Sequence, residues 1–237
     1  MVDSAKIQLL ELLEAKSDRL LHNAIDRYYP DKGPLRRELY PRHMEFFWAG
    51  SAYRERCAIA ANRVGKTEGM GGYETALHLT GEYPSWWPGR RFDRPVKAWA
   101  AGKTNETTRD IVQYKLMGPM GQLGTGLIRG ERIHSWTRKA GVHDLMDTVM
   151  VEHVSGGLSE LGLKSYQQGR DSFEGTEKDV IWLDEEPPED IYGECLIRTA
   201  TTNGIVSITF TPLEGMSRVV MSFMPQDQQL VEDDAYA

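Results

Sequence analysis

The feature that most limits what this chain can fold into is a compact apolar run over residues 56–61, followed at once by Asn62-Arg63-Val64-Gly65-Lys66-Thr67. Counted from Ala60, eight residues fit the pattern G-x-x-x-x-G-K-[ST], with Ala60 where the first glycine is usual. Alanine costs little there if its φ is negative. A strand that delivers such a turn into a helix aims several backbone N–H groups at one point, and the helix N-terminus adds its positive end. Phosphate groups fit that arrangement. Gly-Lys-Thr alone is common, but an apolar strand before it and a helical segment after it make the signal specific. Residues Ala61, Asn62, Arg63, Val64, Gly65, Lys66, Thr67 and Glu68 are therefore expected to bind ATP. Lys66 would neutralise the β- and γ-phosphates and Thr67 would offer its hydroxyl to Mg²⁺. Arg63 has two readings, an outward surface charge or a cis-acting arginine turned to the γ-phosphate.

A second element follows far downstream. Val180-Ile181-Trp182-Leu183 is an apolar strand that ends in Asp184-Glu185. Asp-Glu pairs are usually solvated, but this one ends a buried strand whose C-terminal edge meets the phosphate loop if both strands share a parallel sheet. Asp184 is then the metal-side acid and Glu185 the carboxylate that orients and deprotonates the attacking water. Glu186 reads as a helix-start charge before Pro187-Pro188. A third strand, 205–210, ends in Thr211-Pro212. Thr209 and Thr211 are two apart and share one side of an extended strand. Their hydroxyls can sense a γ-phosphate, or they can simply be β-branched strand formers.

The rest of the chain reads as alternating helices and strands. Ser4 can cap a helix over residues 4–28, with Ile7, Leu10, Leu13, Leu20, Leu21, Ala24 and Ile25 as its apolar stripe. Residues 43–49 are short, aromatic and helical. A helix should follow Thr67 to about Thr80; Gly69, Gly71 and Gly72 weaken it, so close packing against a sheet is expected there. Trp86-Trp87-Pro88-Gly89 reads as an exposed loop. Residues 96–101 form a buried strand and 105–117 the helix after it. Residues 147–154 alternate, Gly156-Gly157 can turn, and 159–163 can return as a hairpin partner. The fold class is α/β: a P-loop NTPase of the RecA-like kind, with a mainly parallel sheet flanked by helices, an inserted β-hairpin region and an N-terminal helical segment.

Composition agrees. The 237 residues are 40% hydrophobic and 27% charged, and no apolar run approaches the ~20 residues a membrane span needs. No membrane partner and no signal peptide are expected. Cys57 and Cys195 read as buried, reduced thiols, which suits a cytoplasm. The formal charge of −7 argues against uniform coating of nucleic acid. A local run of Arg90, Arg91, Arg94, Lys97, Lys103, Arg109 and Lys115 is nevertheless compatible with phosphate-backbone contacts, or with an ordinary solvated surface.

Taken together, Asn62 to Glu68, Ser165-Tyr166 through Gly169-Arg170, Phe173-Glu174-Gly175, Val180 to Pro187, and Thr209-Phe210-Thr211-Pro212-Leu213 with Gly215 resemble the ATPase half of the large terminase subunit of tailed bacteriophages. The resemblance covers about residues 40–220. It implies a motor that hydrolyses ATP to drive double-stranded DNA into a procapsid. Its implied partners are double-stranded DNA, the portal protein, the small terminase subunit, and further copies of itself in a ring on the portal. The implied location is the host cell cytoplasm, outside the mature virion. By this resemblance Arg63 matches the arginine such motors carry in the loop, and Thr209 and Thr211 belong to the motif that couples nucleotide state to the motor. Arg170 is a possible trans-acting finger. Tyr40, Arg42 and His43 resemble the adenine-side motif, which normally carries glutamine where His43 stands; a histidine there reads equally as a helix surface residue. Residues 1–40 are expected as a helical segment or lid, 41–225 as the ATPase domain, and 226–237 as an acidic tail towards a nuclease domain that this chain does not include. Another P-loop nucleic-acid motor, of helicase or recombinase type, is the alternative. Two-lobed helicases need a second RecA-like half, for which this length leaves no room. A kinase would need an acceptor pocket and usually a lid, and a non-hydrolysing binding module would not need Glu185.

Overall fold

A computed structural model describes residues 4–61, 63–212 and 217–224. Helix α1 (Ser4–His22) leads into a 3-10 turn, Ala24–Arg27, and then α2 (Pro41–Ala52). Strand β1 (Glu55–Ile59) delivers the loop, followed by a π-helical turn, Lys66–Gly72, that continues as α3 (Tyr73–Thr80). Strand β2 (Lys97–Gly102) precedes a helical stretch made of α4 (Asn105–Thr107), a π-helical segment and α5 (Tyr114–Met117). Then come β3 (Ile133–Arg138), β4 (Met146–Glu152), β5 (Leu158–Ser165), β6 (Val180–Asp184), α6 (Glu189–Ala200), β7 (Ile205–Phe210) and α7 (Arg218–Ser222).

The seven strands form one sheet in the order β1-β7-β6-β2-β5-β4-β3. From β1 to β5 all neighbours are parallel. Such strands are covered on both faces, so they read as continuous apolar runs. In β6, Val180 and Trp182 enter the core under α3, while Ile181 and Leu183 enter the core under α6. The topology places β7 between the loop strand β1 and the acidic strand β6. Its C-terminal end is thereby wedged between Lys66 and Asp184.

The expected hairpin is present as β4 and β5, paired antiparallel, with Gly156 and Gly157 both at positive φ in the turn. It does not stand apart from the sheet. Strand β5 pairs in parallel with β2, and β4 and β3 continue the same sheet outward. The glycines after Thr67 have the close packing expected of them, with the sheet at two of three positions. A Cβ at Gly71 would lie 2.0 Å from Trp182 Nε1, and one at Gly72 would lie 3.6 Å from the same indole. Gly69 instead faces the Tyr29 hydroxyl.

Both flanks of the phosphate loop are locked by one ion pair. Arg56 on β1 forks onto Glu74 on α3 at 2.9 and 3.0 Å, with both side chains buried. Burial alone would raise the Glu74 carboxyl, but Arg56 and His78 hold it below the usual range.

Some expectations are corrected. Trp86 and Trp87 are not an exposed loop: Trp87 is buried and both rings join an aromatic cluster with Tyr29, Tyr73 and Phe47. Helix α1 ends at His22, and its residues Ile7, Leu10, Leu13, Leu20 and Leu21 are exposed; only Ala24 and Ile25 are buried. In the basic run, ion pairs join Arg94 to Asp179, Arg109 to Asp110 and Lys115 to Glu68, which leaves both readings of that run open. Cys195 is buried, but Cys57 is only partly so, and both are free thiols. No helix among the described residues is long and apolar enough to cross a membrane. Asn62, Leu213, Gly215 and the acidic tail 226–237 lie outside the described residues.

Candidate functional site

The loop begins where β1 ends. Ala60 is not among the residues with positive φ, so alanine serves in the first glycine position without strain. Gly65 does need its freedom: its φ is +86°, and the helix starts immediately after it. Gly69 and Met70 both donate their N–H groups to the Gly65 carbonyl, at 2.8 and 3.1 Å. The second of these spans five residues and widens the first turn into a π-helix, a feature that often marks functional sites.

Lys66 is folded back into its own loop. Its Nζ donates to the carbonyls of Ala60 and Ala61, each at 2.7 Å, and to Thr211 Oγ1 at 3.0 Å. The side chain is buried, which makes its ammonium easier to deprotonate than usual, while Glu185 and Asp184 pull the other way.

Thr67, Asp184 and Thr209 meet at one oxygen. Thr67 Oγ1 donates to Asp184 Oδ1 at 3.0 Å and Thr209 Oγ1 donates to the same atom at 2.8 Å. Thr209 Oγ1 in turn accepts from Trp182 Nε1 at 2.8 Å. Burial pushes the Asp184 carboxyl up to about 7, against the two hydroxyls that favour its charged form. Among the described residues no group of three or more His, Cys, Asp or Glu side chains forms a metal cage. Magnesium in phosphate sites usually takes only one or two protein oxygens besides phosphate and water. The pair Thr67 and Asp184 fits that donor set.

Glu185 follows at φ +67°. Its N–H donates to the Thr209 carbonyl at 2.9 Å. Thr211 and Thr209 do lie on one side of the chain, as their spacing implied, one reaching Lys66 and the other Asp184.

Arg63 is exposed, at φ +65°, and with Tyr40, His43, Val64 and Gly65 it lines a cavity of about 210 Å³ beside the loop. His43 is not a helix surface residue. It is buried, with Nε2 3.0 Å from the Val64 carbonyl and Nδ1 2.7 Å from the Tyr29 hydroxyl, and burial lowers its proton affinity. Arg42 stands apart from this cavity, 87% exposed and paired with Glu45. Glu68 is turned to Lys115 at 2.6 Å. Arg170 sits on a short 3-10 helix, Arg170–Phe173, where its guanidinium bonds buried Glu194 at 3.1 Å and Glu174 lies 3.8 Å away. Val64 and Ala61 are exposed on the loop.

Three residues at the site were given no role of their own in the sequence reading. Tyr29 Oη donates to the Gly69 carbonyl and links α2 to the loop. Trp182 was read only as a strand residue, yet its indole N–H fixes Thr209. Tyr166 Oη donates to the carbonyls of Asp184 and Glu185, at 2.9 Å each. The Tyr28-Tyr29-Pro30 run was a visible signal for the first; the other two depend on sheet register.

The family model "Terminase large subunit, T4likevirus-type, N-terminal" matches residues 57–237. The chain is 37% identical over 242 residues to the large terminase subunit of Salmonella phage P22, an alignment covering 94% of this chain and 46% of that protein. It therefore spans about half the length of the curated relative it matches. Among solved structures, the large terminase ATPase domain of Thermus phage P74-26 is similar with a TM-score of 0.45 and 17% identity, over 71% of this chain and 63% of that one. The ADP complex of a large terminase from a thermophilic bacteriophage gives a TM-score of 0.44 and 14% identity, over 71% and 38%. The family match over most of the chain, joined to the P22 relative, shows that this chain belongs to the terminase large subunit family, in its N-terminal part.

Proposed function

We propose that the chain is the ATPase of a DNA-packaging motor, hydrolysing Mg-ATP to move double-stranded viral DNA into a procapsid. The observation that carries the reading is that the end of β7 bonds both halves of the site, Thr211 taking Lys66 and Thr209 joining Thr67 on Asp184 Oδ1. A phosphate-binding module alone needs Lys66 and Thr67. A machine that hydrolyses and reports needs the rest.

In this reading Lys66 exchanges its bonds to the Ala60 and Ala61 carbonyls for phosphate oxygens. Thr67 and Asp184 would hold Mg²⁺, which when bound would supply neutralisation of phosphate charge. Glu185 takes the proton of the attacking water. Thr211, bonded to Lys66, and Thr209, bonded to Asp184, lie on the same strand end, so a change at either partner pulls on β7. Arg63 is the cis arginine of the loop, and the cavity with Tyr40 and His43 takes the adenine. Double-stranded DNA, the portal, the small terminase subunit and further copies of the chain are the partners of such a motor, and the host cytoplasm is its place of action.

Phosphate release from ATP without an added acceptor tests the enzyme reading. Wild type should release phosphate in a magnesium-dependent way, and Lys66→Ala and Glu185→Gln should each lose about a hundredfold or more. Phosphate release that requires an acceptor would indicate a transferase instead. Stimulation by double-stranded DNA and procapsids tests the motor reading separately.

A further inference from the structure

Glu185 is one of only five non-glycine residues at positive φ among those described. For a residue with a Cβ that conformation is unfavourable and persists only where neighbours hold it. Two contacts hold this one. The Glu185 N–H is taken by the Thr209 carbonyl, and the peptide unit on each side of its Cα is fixed by the Tyr166 hydroxyl, which lies 2.9 Å from both the Asp184 and the Glu185 carbonyl. A phenol has one proton, so this is a single donor shared between two acceptors. Tyr166 is buried.

The tyrosine is itself well fixed. It begins the turn after β5, where Ser165 N–H donates to Gln168 Oε1 at 2.8 Å and Ser165 Oγ donates to Asn105 Oδ1 at 2.8 Å. Gln167 N–H donates to the Lys103 carbonyl at 3.2 Å. The hydroxyl thus reaches the acidic turn from a frame built on two other strand ends.

We infer that Tyr166 is the positioning residue of Glu185: it locks the left-handed turn that aims the carboxylate, without itself touching nucleotide or water. The direction of a side chain follows its own φ and ψ, so releasing the two carbonyls lets Glu185 swing while Lys66, Thr67 and Asp184 keep their places. This inference rests on Glu185 being the water-activating carboxylate.

Single-turnover hydrolysis of labelled ATP with the chain in excess provides the test. Tyr166→Phe removes only the hydroxyl. Its hydrolysis rate at saturation should fall about tenfold or more, because small misplacements of a catalytic group cost that much. Its affinity for ATP and ADP should stay within about twofold of wild type. In the Glu185→Gln background the same change should cause no further loss, since both act through one carboxylate. A Tyr166→Phe rate within about twofold of wild type overturns the inference, as does an additive loss in the double variant. A variant that no longer binds ADP also overturns it, because Tyr166 would then hold the fold rather than the glutamate. If Glu185→Gln hydrolyses at the wild-type rate, the reading of Glu185 fails instead, whatever Tyr166→Phe does.

Discussion

The Thr67 hydroxyl donates to Asp184 Oδ1 at 3.0 Å, joining the start of the loop helix to the end of β6 across 117 residues. These are the two groups expected to hold magnesium, and here each is the other's partner. On that proposal, metal entry at this point would be an exchange of hydrogen bonds, and its pH dependence would follow from the aspartate.

Burial raises the Asp184 carboxyl from 3.8 to about 7. Protons therefore compete with magnesium near neutrality, and Mg-ADP should bind more weakly at about pH 6 than at about pH 8, with proton release on binding. The sign for stability is opposite. Between pH 3.8 and 7 the folded chain keeps a proton that the unfolded chain has lost, so Asp184's contribution is present below that window and declines as pH rises through it. Calorimetry in two buffers of different ionisation enthalpy reads the proton release. Binding that is equally tight at both pH values and releases no proton contradicts the prediction.

Gly71→Ala would place a Cβ 2.0 Å from Trp182 Nε1, which is buried in the core. Overpacking of this kind costs about 1–3 kcal/mol. The indole that must shift also fixes Thr209, so the variant should lose both melting temperature and ATP turnover. Gly193→Ala, on α6 with nothing within 4 Å of its Cβ, is the control and should melt at or above wild type. Equal melting temperatures for the two variants would contradict the packing argument.

Arg63 lies in the loop of its own chain, whereas Arg170 is engaged with Glu194 and Glu174. We expect Arg63→Ala to reduce turnover about tenfold or more, by the same factor at every protein concentration. Arg170→Ala should lower stability by about 1 kcal/mol with little effect on turnover per folded molecule. A wild-type rate that climbs with concentration, and a climb absent only in Arg170→Ala, would make Arg170 the trans-acting finger.

Much of this site could be read from the sequence because its signals are local. The strand before Asn62, the apolar run before Asp184 and the Thr209-Thr211 spacing each need only a few neighbouring residues. What could not be read depends on register. That Trp182 meets Thr209, and Tyr166 the Asp184-Glu185 turn, follows from β7 lying beside β6 and β5 beyond β2. Strand β3 escaped notice because Ile133–Arg138 lies at the sheet edge with polar and partly exposed side chains, so no apolar alternation marks it. The Trp86-Trp87 pair read as a loop because prolines and glycine surround it; its burial is supplied by aromatic partners from three other segments. His43 likewise looked peripheral until α2 carried it against the loop.

Arg63 and Glu185 share a left-handed backbone that glycine adopts without the Cβ strain. A search for heat-resistant variants should therefore recover glycine at both positions, and each such variant would trade chemistry for robustness.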